Sequence, residues 1–108
     1  MYNRVKNITT CEETMKLLGD YWTLRIIDTL IADQARFCEL QRNLGNLNPV
    51  TLTSRLKKLE DAGLINRREE TIDKISVCYS LSDLGHEVAP VIKALDRFSE
   101  KASSFKIA

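Results

Sequence analysis

Hydroxyl and cationic side chains crowd into one short stretch, NPVTLTSRLKKLEDAGLINRR, running from Asn48 to Arg68. Hydroxyls stand at Thr51, Thr53 and Ser54 and cations at Arg55, Lys57 and Lys58, followed by Arg67, Arg68 and, further on, Lys74. Short hydroxyls near the start of a helix can exchange hydrogen bonds with base edges, and long cations can meet phosphates. This is the chemistry of binding, without a covalent step. The single histidine, His86, has neither a metal-ligand set nor a Ser or Cys partner for nucleophilic catalysis, and a surface position is expected for it. The three cysteines, Cys11, Cys38 and Cys78, are odd in number and include no CxxC pair, which argues against a disulfide framework and against zinc. No metal, no cofactor and no enzymatic activity are expected. Cys38 and Cys78 fall in apolar-periodic segments and are expected to be small buried residues. Cys11 differs, because a place in the first turn of a helix would set its sulfur near unpaired amides and the positive end of the helix dipole, where thiols become reactive towards oxidants and electrophiles. Glu12 and Glu13 oppose that effect, and a structural thiol packed in a seam remains the alternative.

These residues need a frame, and the spacing of apolar side chains supplies one. Thr10-Cys11-Glu12-Glu13 fits a capping box and predicts a short helix from Cys11 that carries Met15, Leu17 and Leu18 and stops at Gly19, with the left-handed backbone that glycine accepts. Trp22, Ile26, Ile27 and Leu30 predict a second helix ending near Ala32, with Trp22 as a core or interface anchor. Ala35 to Phe37 reads as a bridging strand, and Cys38 to Leu44 as a third helix stopped by Gly45. Asn48 is a good N-cap and Pro49 suits the first helical position, so a fourth helix is predicted from Pro49 to about Asp61. Leu52, Leu56 and Leu59 form its apolar stripe. Val50, Ser54 and Lys57 then lie nearly opposite, flanked by Thr51, Thr53 and Lys58, with Arg55 more peripheral.

Leu64 to Glu69 and Ile75 to Leu81 predict a hairpin with Lys74 at its tip. From Ser82 to Lys101 a last helix is expected, bent or delayed by Pro90 and fraying beyond Lys101. Its apolar face is longer than a small domain needs for its own core, so Val88, Val91, Leu95 and Phe98 are expected to form a dimer seam.

Two short helices joined through a glycine-containing turn form a helix-turn-helix, whose second helix can enter the major groove. Followed by a hairpin that opens with Arg67 and Arg68, the order describes a winged helix. The fold expected is therefore mainly α with a small β-hairpin: a single winged-helix domain over residues 1–108, with an arm at 1–10, a core at 11–81 and a dimerisation helix at 82–101. Asn48, Val50, Thr51, Thr53, Ser54, Arg55, Lys57, Lys58, Arg67, Arg68 and Lys74 are its candidate DNA contacts. The same cations also suit the solvated face of any surface helix, paired with Glu60 and Asp61. Sixteen basic against fifteen acidic residues leave a formal charge of +1, so attraction to nucleic acid must be local. No run is long and apolar enough to span a bilayer, and a cytoplasmic protein without membrane contact is expected.

From Cys11 to Phe98 the sequence resembles the HxlR-type transcriptional regulators, winged-helix proteins of bacteria and archaea related to the MarR group. The resemblance rests on the leading Cys11, Gly19 with Trp22-Thr23-Leu24, Arg36-Phe37-Cys38-Glu39-Leu40, Asn48-Pro49 with Leu52-Thr53 and Arg55-Leu56, Leu59-Glu60 with Gly63-Leu64, and Tyr79-Ser80-Leu81 with Leu84-Gly85. It implies a homodimer joined through terminal helices, double-stranded DNA carrying an inverted-repeat operator as partner, and a groove-reading helix that starts at Pro49. Several members of that family sense electrophiles or oxidants through the leading cysteine. Three features depart from the family pattern: Val50 stands where a basic residue is common, Asp20-Tyr21 replaces a usual Gly-Lys, and the wing lacks prolines at its tip. The alternative reading is a winged-helix module that docks on proteins without touching DNA, favoured by the low net charge and by Glu69, Glu70 and Asp73 in the wing.

Overall fold

Side-chain oxygens start most of the helices. In the computed structural model, which describes residues 10–71 and 75–105, Thr10 accepts the Glu13 amide at 3.1 Å and donates its hydroxyl to the Glu13 carboxylate at 3.0 Å. Helix α1, Cys11–Leu18, therefore begins where the capping box places it. Asp20 accepts the Thr23 amide and hydroxyl, each at 2.9 Å, and opens α2, Tyr21–Ala32. Gly19 between them is not left-handed, contrary to expectation: its φ is −77°. Glycine is needed there for close approach, because a Cβ would lie 2.6 Å from the Met15 carbonyl oxygen.

Strand β1 is Ala35–Arg36, and Phe37 belongs to α3, Phe37–Asn43, where Glu39 accepts the Arg36 amide at 2.8 Å. Phe37 packs against the core while Cys38 faces solvent, which corrects the expectation that Cys38 is buried. Gly45 and Asn46 both take positive φ, 74° and 61°, and turn the chain towards α4, Pro49–Asp61. Strands β2, Ile65–Thr71, and β3, Ile75–Leu81, form the hairpin, and β1 adds to the far side of β3 through Ala35↔Tyr79 and Arg36↔Cys78. The sheet is antiparallel and three-stranded in the order β1-β3-β2, one strand more than a hairpin.

The helix expected from Ser82 to Lys101 is two. Ser82 caps α5, Asp83–His86, and its hydroxyl also donates to the Gly63 carbonyl at 2.6 Å, which pins the start of α5 to the end of α4. The chain turns at Glu87 and Val88, and α6 runs over Ala89–Ser104. Pro90 sits in its first turn, where a missing amide hydrogen costs no intrahelical bond. The helix continues past Lys101 to Ser104, where fraying was expected. The core gathers Ile26, Ile27 and Leu30 from α2, Leu40 from α3, the Leu52, Leu56 and Leu59 stripe of α4, and Leu64, Ile65, Tyr79 and Leu81 around the sheet. Its layers are those of a winged helix: helices on one side, a small sheet closing the other.

Candidate nucleic-acid interface

Burying its leucine stripe fixes which face α4 offers. Leu52, Leu56 and Leu59 are each at most 2% exposed, so Val50, Thr53, Ser54, Lys57 and Lys58 are left on the solvent side, with Thr51 half-buried at the edge. The start of the helix is fixed twice. Asn48 Oδ1 accepts the Val50 amide at 2.8 Å, and Gln41 in α3 donates its side-chain amide to the Leu47 carbonyl at 2.9 Å. The turn and the first residues of α4 are thereby held as one unit with α3, so the hydroxyls near the helix start keep a defined position relative to the fold.

The cations divide into two groups. Lys57 and Lys58 are exposed and form no ion pair with Glu60, Asp61 or any other acid among the described residues. Arg55 is committed elsewhere: its Nε lies 2.8 Å from Asp20 Oδ2 and its Nη2 3.2 Å from Asp20 Oδ1, a two-pronged pair. The Arg55 guanidinium lowers the Asp20 carboxyl from its ordinary 3.8 to about 2, against the opposing effect of partial burial and with help from the Thr23 amide and hydroxyl. The Arg55 pKa is raised by the same contact. Arg55 thus spends its charge on tying α4 to the start of α2, where the spacing alone had offered it to phosphates. Asp20 is the residue that sequence reasoning missed as a site component: it read as a departure from a pattern, and nothing local signals a partner thirty-five positions along the chain.

The wing carries Arg67 and Arg68 on exposed positions of β2. Arg68 is held at 3.0 Å by Glu70, whose other oxygen lies 3.9 Å from Arg36, so part of the wing's positive charge is neutralised within the sheet. Lys74 lies outside the described residues. His86 is exposed, and among the described residues no cluster of His, Cys, Asp and Glu could hold a metal ion. Nor is any described helix long and apolar enough to cross a membrane.

Away from α4, the four residues expected in a dimer seam separate. Val88 is only 7% exposed and belongs to the chain's own core, so it is unavailable to a partner; the turn before α6 carries it inwards. Val91, Leu95 and Phe98, one turn apart along α6, are 43%, 46% and 70% exposed. Cys11, the first residue of α1, is exposed, and Cys78 is buried in β3.

A family model described as HxlR-like helix-turn-helix matches residues 17–105. The chain is 39% identical over 101 residues to an uncharacterized HTH-type transcriptional regulator of Halalkalibacterium halodurans, covering 91% of this chain and 89% of that protein. Among solved structures it is similar to the reduced form of the transcriptional regulator YodB from B. subtilis, with a TM-score of 0.76 and 26% identity over 90% of this chain and 95% of that one. It is also similar to the redox regulator HypR in its reduced form, with a TM-score of 0.78 and 25% identity over 85% and 91% of the two chains.

Proposed function

The chain belongs to the HxlR-like helix-turn-helix family of transcriptional regulators, and from that premise we propose that it acts as a homodimer binding an inverted-repeat operator in the cytoplasm, with α4 in the major groove. The observation that carries this reading is the solvent face of α4: hydroxyls of Thr53 and Ser54 towards its start, and two unpaired lysines, Lys57 and Lys58, one turn on. In this reading Asn48, Val50, Thr51, Thr53 and Ser54 lie towards base edges, Lys57 and Lys58 meet phosphates, and Arg67 and Arg68 approach the backbone beside the groove. Arg55 supports the helix from behind. Residues 11–81 serve as the DNA-binding core, and the uncovered side of α6, with Val91, Leu95 and Phe98, pairs two copies.

Selection of bound sequences from a random DNA pool tests this. An enriched inverted repeat, with half-sites about one helical turn apart or a multiple of it, is the expected outcome. Failure to enrich any sequence would sink the reading and favour the docking-module alternative, to which the Arg68–Glu70 pair in the wing lends some support.

Regulation through Cys11 is a finer reading of the same kind. Its support is the exposed position of Cys11 at the start of α1 and the likeness to a redox regulator. If Cys11 is the sensor, oxidation alters operator affinity in the native protein and leaves Cys11→Ser unaffected. Cys38 is exposed as well, so equal responses of the native protein and Cys11→Ser would place the signal elsewhere.

A further inference from the structure

Val50 is 76% exposed, on the face of α4 opposite the leucine stripe. An exposed valine on its own needs no explanation, but this one has a defined place. Its amide is fixed on Asn48 Oδ1 at 2.8 Å, and with Pro49, Thr53 and Ser54 it lines a shallow, mostly apolar hollow at the start of the helix. Lys57 and Lys58, exposed on the following turn of the same helix and without an ion pair among the described residues, add positive charge to that face, so the surface suits a polyanion that carries an apolar group. In the major groove the one apolar group larger than a hydrogen on any base is the 5-methyl of thymine, where cytosine has only a C5–H; the features that hydrogen-bond are donors and acceptors. A cation at this position would seek a phosphate or a guanine edge, and valine can do neither.

We propose that Val50, with Thr53 beside it, receives the 5-methyl group of a thymine in each operator half-site and so selects thymine over cytosine at that position. The proposal rests on the DNA-reading role of α4 and adds the base feature that one residue reads. Ser54, on the same rim, is free to exchange a hydrogen bond with a neighbouring base edge, leaving the methyl contact to Val50.

The test uses the full chain and Val50→Ala on the selected repeat, with each half-site thymine replaced in turn by deoxyuridine, which lacks only the methyl. Val50 is exposed, so the substitution leaves the core untouched. One thymine per half-site should prove sensitive: losing its methyl weakens the native protein roughly fourfold, about the worth of one buried methyl group, and leaves Val50→Ala nearly indifferent. The salt dependence of binding should be the same for both proteins, since no charge changes. The proposal is overturned if no thymine is methyl-sensitive, if the loss is equal in both proteins, or if Val50→Ala changes the oligomeric mass, which would seat a second copy on this hollow. If the native protein shows no sequence preference and no salt dependence at all, the DNA-reading role itself fails and takes this proposal with it.

Discussion

The Asp20 carboxylate accepts the Thr23 amide at the start of α2 and at the same time holds Arg55 of α4, so one acidic side chain fixes two helices against each other. The two duties can be separated. Asparagine caps a helix as well as aspartate does but cannot form the ion pair, so Asp20→Asn isolates the pair, while Asp20→Ala also removes the cap and costs about 1 kcal/mol more. The linkage to pH follows from the lowered pKa. With the folded-state carboxyl at about 2 and an ordinary value of 3.8, the pair's contribution is complete above the ordinary value and is lost as pH falls towards about 2. Denaturant midpoints of the native protein and Asp20→Asn should therefore differ at pH 7 and converge on acidification; a gap that persists undiminished would mean the charge of Asp20 is not what stabilises the fold. Surface pairs contribute little in general, and partial exposure of both partners keeps this one modest. Its larger consequence is for binding, since Arg55 is removed from the set of groups available to phosphates.

Local signals placed several of the helices: Thr10, Asn48 and Ser82 each cap one as their types suggested, and the leucine stripe of α4 is buried where its spacing put it, whereas Asp20, which caps α2, is not among the caps read from the sequence. What sequence could not supply was the pairing of distant positions. The pairing of β1 with β3 joins residues some forty positions apart, and a two-residue strand carries no periodicity of its own. Cys38 read as buried because its neighbours are apolar, whereas a helix start one residue earlier sends Phe37 inwards and Cys38 out. Pro90 was legible as an interruption, but not the turn at Glu87 and Val88 that draws Val88 into the core and shortens the free seam to Val91, Leu95 and Phe98. Helix α6 has no fully buried residue, although Ile92 packs against the core. The proposed homodimer would cover that apolar stripe. Leu95→Glu would place a charge in it, and light scattering should then fall from twice the 12.3 kDa chain mass to that of one chain, with weakened operator binding and unchanged circular dichroism. A folded Leu95→Glu variant that stays dimeric would move the interface to another surface.

The molecule is elongated, 56 × 35 × 23 Å, with a Cα radius of gyration of 15.6 Å where a compact chain of this length has about 13 Å. An elongated chain with an uncovered helix suits a two-fold pair, in which two copies of α4 could reach successive major grooves about 34 Å apart. The formal charge of +1 gives no long-range pull towards DNA, so attraction depends on where the cations sit. Arg55 is tied to Asp20 and Arg68 to Glu70, which leaves Lys57 and Lys58 as the cations of α4 without an ion pair among the described residues. Binding to phosphates releases counterions, and each phosphate neutralised adds about 0.9 to the slope of log affinity against log salt. The deciding measurement is that slope for the native protein, Lys57→Ala/Lys58→Ala and Arg55→Gln on one inverted-repeat duplex. The double lysine variant should bind more weakly and with a slope shallower by about 0.9 for each phosphate it no longer neutralises, while Arg55→Gln keeps the native slope; an unchanged slope in the double lysine variant would contradict the assignment of α4 as the helix that meets DNA.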